Sequence, residues 1–247
     1  MEDNSTTSGL LWEVERILLE AAIKPKVLIM ENVVQVHSAK NIKAFNRWKT
    51  SLKNMGYTNF AADINSKNYG SSQSRNRCYM VSFLDLKGTF KFPEPKEIKN
   101  YFEDIEEPIV DQKYYLTNKQ IRGILSWKAY QKPFKKVLGA KSILPTITAR
   151  GAGNLHSGMV IYSNKFKETI NLYERFKNTD AINENLGIRY ITPRETFRAM
   201  GFSDKNFDDV KDNQTNNSLY HLAGDSIVVD VAQAILEEVL ETLKGEE

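Results

Sequence analysis

MENVVQVHSAKN, residues 30–41, begins where an apolar run ends: Val27-Leu28-Ile29-Met30 leads straight into a carboxylate, Glu31, and an amide, Asn32. The run reads as a short buried strand, and Pro25 marks the end of the connection in front of it. Solvated turns usually prefer Gly, Asp or Ser. A Glu-Asn pair on the lip of a buried strand is therefore either an accident of helix capping or a working carboxylate. Upstream, Leu11, Val14, Leu18 and Ala21 recur at three- and four-residue steps with Leu10 and Ile17 alongside, which predicts an amphipathic helix over Ser8–Ala22 with Ser8 as N-cap. Downstream, Ile42, Phe45, Trp48 and Leu52 share one face of a predicted helix over Asn41–Met55, and Gly56 stands at its C-terminal cap. YTNFAADI (57–64) and CYMVSFL (78–84) read as strands around the polar loop NSKNYGSSQSRNR (65–77). The order helix, strand, helix, strand, strand implies part of an open α/β sheet.

The composition is that of a globular chain: 247 residues, 41% apolar and 26% charged. No apolar run approaches the roughly 20 residues of a membrane span, and the polar, acidic start MEDNSTTSG does not resemble a signal peptide. A single cysteine, Cys78, excludes an internal disulfide framework and fits a reducing cytoplasm. With three scattered histidines beside that one cysteine, a protein-built zinc site is not expected. Net charge is only +3, but eleven Lys and Arg and no Asp or Glu lie between Gln112 and Lys167. That acid-free window points to a polyanion such as nucleic acid; its bland alternative is a solvated basic surface.

The texture changes after Leu86. KFPEPKEIKNYFEDIEEPIVD (91–111) carries prolines and mixed charge like a domain crossing. SILPTITARGAGNLHSGMVIY (142–162) places short β-branched strands around a loop of Gly, Asn and Ser. RYITPRETFRAMGFSD (189–204) sets Thr192, Pro193 and Glu195 where an N-cap, a first helical residue and a capping-box acid belong. LYHLAGDSIVVDVAQAILEEVLETLKG (219–245) reads as a turn and a long amphipathic helix.

Four stretches in this order resemble one family, the DNA cytosine-5 methyltransferases. They are Glu31-Asn32-Val33 after the apolar strand; Gln73, Arg75 and Arg77 as a Gln-x-Arg-x-Arg segment; Arg189, Pro193, Arg194 and Glu195 as Arg-x-x-x-Pro-Arg-Glu; and AGDSIVVDVAQAI before the last helix. The likeness covers about residues 8–85 and 186–240. It implies the C-terminal half of a Rossmann-like, S-adenosylmethionine-dependent methyltransferase sheet with a smaller, mainly β target-recognition domain. The implied parts are 1–86 as half of the catalytic domain, 87–187 as the DNA-reading domain, and 188–247 as a hinge segment and closing helix. The sequence departs from the family in having no Pro-Cys dipeptide and no glycine-rich turn before Glu31. It also has Thr7 where Arg usually precedes Ser-Gly, Ser72 at a frequent Pro position, and Asp225 in place of the usual Asn.

Roles follow from the resemblance. C5 of cytosine is a poor nucleophile; a thiolate adding to C6 makes it enamine-like, and an acid at N3 neutralises charge as the adduct forms. Glu31 is the implied partner of N3, with Asn32 ordering a turn beside it. Arg77 would donate to the base's O2, and Gln73 and Arg75 would brace the loop and the phosphate backbone. A pocket of this kind implies a flipped base. Arg150, Asn154 and His156 would supply base contacts, and lysines such as Lys141 phosphate contacts. Asp225 and Ser226 would edge the cofactor site or simply N-cap the last helix. Cys78 is expected to be buried packing rather than the nucleophile. The expected partners are double-stranded DNA and a second polypeptide carrying the S-adenosylmethionine site and the Pro-Cys nucleophile. Without that polypeptide an apolar strand edge and helix face stand uncovered. A catalytically inactive DNA-binding remnant is the alternative reading.

Overall fold

The computed structural model describes residues 9–97, 100–126, 137–148, 160–162 and 187–245. Two compact units emerge. One takes Met1–Ile64, Asn76–Glu94 and Ile235–Glu247; the other takes Asn65–Arg75 and Pro95–Ala234. This cuts the chain differently from the three-part division expected above. Residues 65–75 and 188–234 group with the middle of the chain, because Gln73 and Arg75 are buried against carbonyls of that region.

The first unit contains α1 (Leu10–Glu20), β1 (Val27–Val33), α2 (Ile42–Asn54), β2 (Tyr57–Asn65) and β3 (Asn76–Leu84), with β3 central in a sheet of order β1-β3-β2. β1 and β3 run antiparallel, with Val27 opposite Phe83 and Val33 opposite Arg77. The apolar faces predicted for the helices close the core. Leu18 of α1 and Phe45, Trp48 and Leu52 of α2 pack with Tyr57, Cys78 and Met80. Gly56 follows α2 at φ +96°, a left-handed position that suits a residue without Cβ. One expectation fails here. Glu31 and Asn32 are not a turn: they lie inside β1, because the ladder with β3 continues to Val33. Ser8 lies outside the described residues, and Gly9 occupies the N-cap of α1 with no side-chain cap.

The second unit holds α3 (Phe102–Ile105), α4 (Asn118–Ser126), β4 (Val137–Leu138), β5 (Val160–Tyr162), β6 (Ile188–Tyr190), α5 (Pro193–Ala199), α6 (Asp204–Lys211) and α7 (Asn216–Asp225). It also holds the start of α8 (Val229–Lys244). β5 is central, parallel to β4 and antiparallel to β6. Phe102, Ile105, Leu144, Ile147, Ile191, Ala199 and Tyr220 form its core. The predicted helix start at Thr192 is present. Thr192 Oγ1 accepts from Glu195 N, and Glu195 Oε2 accepts from Thr192 N, a reciprocal cap. Gly201, at φ +84°, ends the connection after α5, and a Cβ there would lie 3.0 Å from Val229 Cβ.

LYHLAGD is helix rather than turn. Leu219, Tyr220 and Ala223 fall at helical spacing and are all buried, and this burial outweighs the turn preference of Gly-Asp-Ser. Asp225 therefore ends α7, Ser226 is its C-cap, and neither caps α8. By length and hydropathy 216–244 resembles a membrane span, yet it breaks into two helices and 44% of its most apolar window is buried inside the protein.

Candidate functional site

Glu31 sits opposite Tyr79 and Arg77 opposite Val33, so Glu31 and Arg77 are diagonal neighbours on one face of the β1–β3 pair. Arg77 Nε lies 3.0 Å from Glu31 Oε1, with side chains only 15% and 17% exposed. The contact is an ion pair without hydrogen-bond alignment: Glu31 Oε1 is a buried acceptor that no donor satisfies among the described residues. Arg77 Nη1 donates to the Asn76 carbonyl at 2.9 Å. A guanidinium has five N–H groups, so donors remain beyond these contacts. A buried carboxylate oxygen lacking a hydrogen bond is costly. Carboxylate and guanidinium side by side, each still partly exposed, suit a planar ligand with complementary edge groups.

Asn32 faces away from this pair. It is exposed and opposite Cys78, and its Oδ1 accepts from Val33 N at 2.8 Å, so it stabilises its own strand rather than a turn. Gln73 and Arg75, expected to brace the loop and the phosphate backbone, are both buried and bonded to backbone groups. Gln73, fully buried, donates through Nε2 to Ala199 O at 2.9 Å and accepts through Oε1 from Ile147 N at 3.1 Å. Arg75 donates to the carbonyls of Ile147 (2.7 Å), Gly224 (3.1 Å) and Ser226 (3.1 Å). With its guanidinium committed to these carbonyls at 5% exposure, Arg75 is not presented to a phosphate.

Ser226 has all three polar groups occupied: its N–H donates to Ala223 O at 3.2 Å, its carbonyl receives Arg75 and its hydroxyl donates to Leu222 O at 2.5 Å. Asp225 is exposed at the end of α7. These two alone do not make a site for S-adenosylmethionine. Lys141 is exposed and pairs with Glu103, whose hydrogen bond raises the lysine's pKa. Arg150, Asn154 and His156 lie outside the described residues. Cys78 is fully buried, and burial first, then the Asp63 carboxylate, pushes its thiol up to about 11. A nucleophile needs the opposite shift.

Two arrangements were not anticipated. Arg189 and Glu195 are both fully buried and joined twice, Nη2 to Oε1 at 2.7 Å and Nη1 to Oε2 at 2.9 Å. Burial pulls the Arg189 pKa down, but Glu195 and Glu106 outweigh it and the net shift is upward. The capping-box spacing located Glu195 without indicating that the same carboxylate also holds Arg189. Second, the histidines and the cysteine are not all scattered in space: His37, Asp63 and Cys78 meet, with their potential ligand atoms within 4.8 Å of one another.

The sequence model of C-5 cytosine-specific DNA methylase matches residues 1–241. The chain belongs to that family. It is 30% identical over 240 residues to the type II methyltransferase M2.ScrFI of Lactococcus lactis subsp. cremoris, covering 97% of this chain and 61% of that one. It is 32% identical over 245 residues to the orphan methyltransferase M.SssI of Spiroplasma monobiae, covering 96% and 59%. The chain thus spans about six tenths of these curated relatives. In fold it resembles the crystal structure of S. pombe Dnmt2 methyltransferase, with TM-score 0.75 and 22% identity over 96% of this chain and 73% of that one. It also resembles the Entamoeba histolytica methyltransferase EhMeth, with TM-score 0.73 and 19% identity over 97% and 70%. The α/β architecture of the family is therefore the architecture of this chain, with the small antiparallel β1–β3 pair carrying Glu31 and Arg77.

Proposed function

We propose that this chain is the C-terminal portion of a DNA cytosine-5 methyltransferase. In this reading it contributes the carboxyl and guanidinium of the base pocket together with the DNA-reading region. The S-adenosylmethionine site and the Pro-Cys nucleophile come from protein outside these 247 residues, carried by a complementing polypeptide. The observation that carries the reading is the Glu31–Arg77 pair with its buried, unsatisfied carboxylate oxygen.

A cytosine flipped from duplex DNA would offer two neighbouring edge atoms to this pair. Glu31 faces N3, and a proton taken up from solvent passes through its carboxyl group to N3 as a thiolate adds at C6, which neutralises the charge that the addition pushes onto the ring. Arg77 donates to O2 and fixes the base in its plane. S-adenosylmethionine, when bound, supplies the methyl group that C5 accepts. Burial of Cys78 and its raised thiol favour a nucleophile from elsewhere. An uncovered apolar surface favours a partner: Leu10, Val14 and Ile17 line one face of α1 at 64%, 43% and 56% exposure, and edge strand β1 exposes Ile29 and Val33. The basic stretch 112–167 suits double-stranded DNA. The type II names among the relatives favour a restriction-modification setting.

The test is transfer of labelled methyl from S-adenosylmethionine to duplex DNA by the chain alone and by the chain mixed with the complementing polypeptide. Activity only in the mixture, lowered on the order of 10²-fold or more by Glu31→Gln, is expected. Transfer by the chain alone, or full activity of the Glu31→Gln mixture, refutes the reading.

A further inference from the structure

We propose that His37, Asp63 and Cys78 form a binding site for one divalent cation of the zinc class, with solvent completing its coordination. The inference is independent of the methyltransferase reading. His37 closes the short 3-10 turn Val34–His37 after β1, Asp63 lies near the end of β2, and Cys78 belongs to β3. Three separate segments thus bring an imidazole, a carboxylate and a thiol to one point.

The spacing is close to what the ion needs. With Zn–N and Zn–O near 2.0–2.2 Å and Zn–S near 2.3 Å, tetrahedral angles set N and O about 3.3 Å apart, and S about 3.6 Å from either. His37 Nε2 and Asp63 Oδ1 are already 3.1 Å apart, and all three ligand atoms lie within 4.8 Å of one another. Drawing the thiol inward completes a three-ligand face. The His37 ring is steadied edge-on against Phe45, with centroids 5.2 Å apart at 87°.

Access and charge fit as well. His37 and Asp63 are 38% and 43% exposed, while Cys78 is fully buried beneath them, so the ion enters from the imidazole-carboxylate side and meets the sulfur last. Binding replaces the thiol hydrogen with the metal, releasing one proton to solvent, and leaves a neutral imidazole, a carboxylate and a thiolate around a +2 ion. Glu31 also acts on the thiol, and Lys49, the opposing cation, is one positive charge against two ligand negatives. An ion here would clip the turn after β1 to β2 and β3. It would sit behind the residue that follows Arg77, on the opposite face of that strand.

The experiment uses the full chain, prepared metal-free and without a histidine tag, titrated with Co²⁺. One equivalent should bind, with a thiolate-to-cobalt charge-transfer band and tetrahedral visible bands, about one proton released, and displacement by Zn²⁺. Cys78→Ser should abolish the charge-transfer band. His37→Ala and Asp63→Asn, at exposed positions that spare the core, should each weaken binding at least about tenfold, in line with loss of a metal ligand; His221→Ala should leave it unchanged. Absence of the band, or equal Co²⁺ affinity in His37→Ala and the unsubstituted chain, overturns the proposal even if Cys78→Ser fails to fold.

Discussion

Replacing Arg189 with Met should cost about 3–5 kcal/mol of folding stability, the usual penalty for orphaning one member of a buried ion pair. The structure sets where in that range it falls. Both side chains are fully buried, and Arg189 gives Glu195 two charge-assisted bonds of 2.7 and 2.9 Å. Glu195 also receives backbone N–H groups from Thr192 at 2.8 Å and Glu107 at 3.0 Å, and these survive the substitution. The carboxylate is therefore weakened rather than stripped, and a loss near the lower end, about 3 kcal/mol, is expected. Against a total stability of about 5–15 kcal/mol, that shift is readily resolved by urea unfolding followed by circular dichroism. Arg189→Met combined with Glu195→Leu removes both charges and should recover part of the loss. The recovery is incomplete because Thr192 N and Glu107 N then lack an acceptor, at about 1–3 kcal/mol for an unsatisfied buried group. A single-variant cost below about 1 kcal/mol, or a double variant worse than the sum of the singles, would refute the reasoning.

Arg75→Ala orphans the carbonyls of Ile147, Gly224 and Ser226 and should destabilise the protein by at least about 2 kcal/mol. In the proposed DNA-binding role, the salt dependence of binding should stay unchanged, whereas loss of a phosphate contact lowers that slope by about one. Cys78 should resist iodoacetamide in the native protein and react once urea unfolds it. Its folded thiol titrates above the ordinary value, so its contribution to stability is complete below pH 9.0 and is lost as pH rises towards about 11, which alkaline unfolding curves will register. Gly201→Ala forces a Cβ at φ +84° to within 3.0 Å of Asp230 Oδ2 and Val229 Cβ, and should lower stability by more than about 1–2 kcal/mol in thermal unfolding.

Periodic elements were legible because a single face of burial writes itself into spacing. Ile42, Phe45, Trp48 and Leu52 located α2 to within a residue at each end, and Thr192 with Glu195 located the start of α5. The Glu31–Arg77 juxtaposition came from the order of segments rather than from periodicity, and its diagonal register could be seen only once β1 and β3 were paired. Local chemistry misled where long-range pairing or burial overrode it. Glu31-Asn32 looks like a strand end until the ladder with β3 carries it to Val33. Ala223-Gly224-Asp225-Ser226 looks like a turn until Leu219 and Tyr220 bury the helix that precedes it. The gathering of His37, Asp63 and Cys78 left no trace in spacing, because positions in three segments meet only through the topology of the sheet.

The division of the chain into units has a practical consequence. The backbone passes from one unit to the other at 64/65, 75/76, 94/95 and 234/235. Each unit is thus stitched from separate stretches of sequence, and no single continuous truncation isolates either. A protease that nicks one passage leaves the others intact, so a cut chain should still migrate as one particle until it is denatured. Anyone trimming this protein to a minimal fragment would have to rejoin distant segments by design, since the gene does not present either unit as an uninterrupted reading frame.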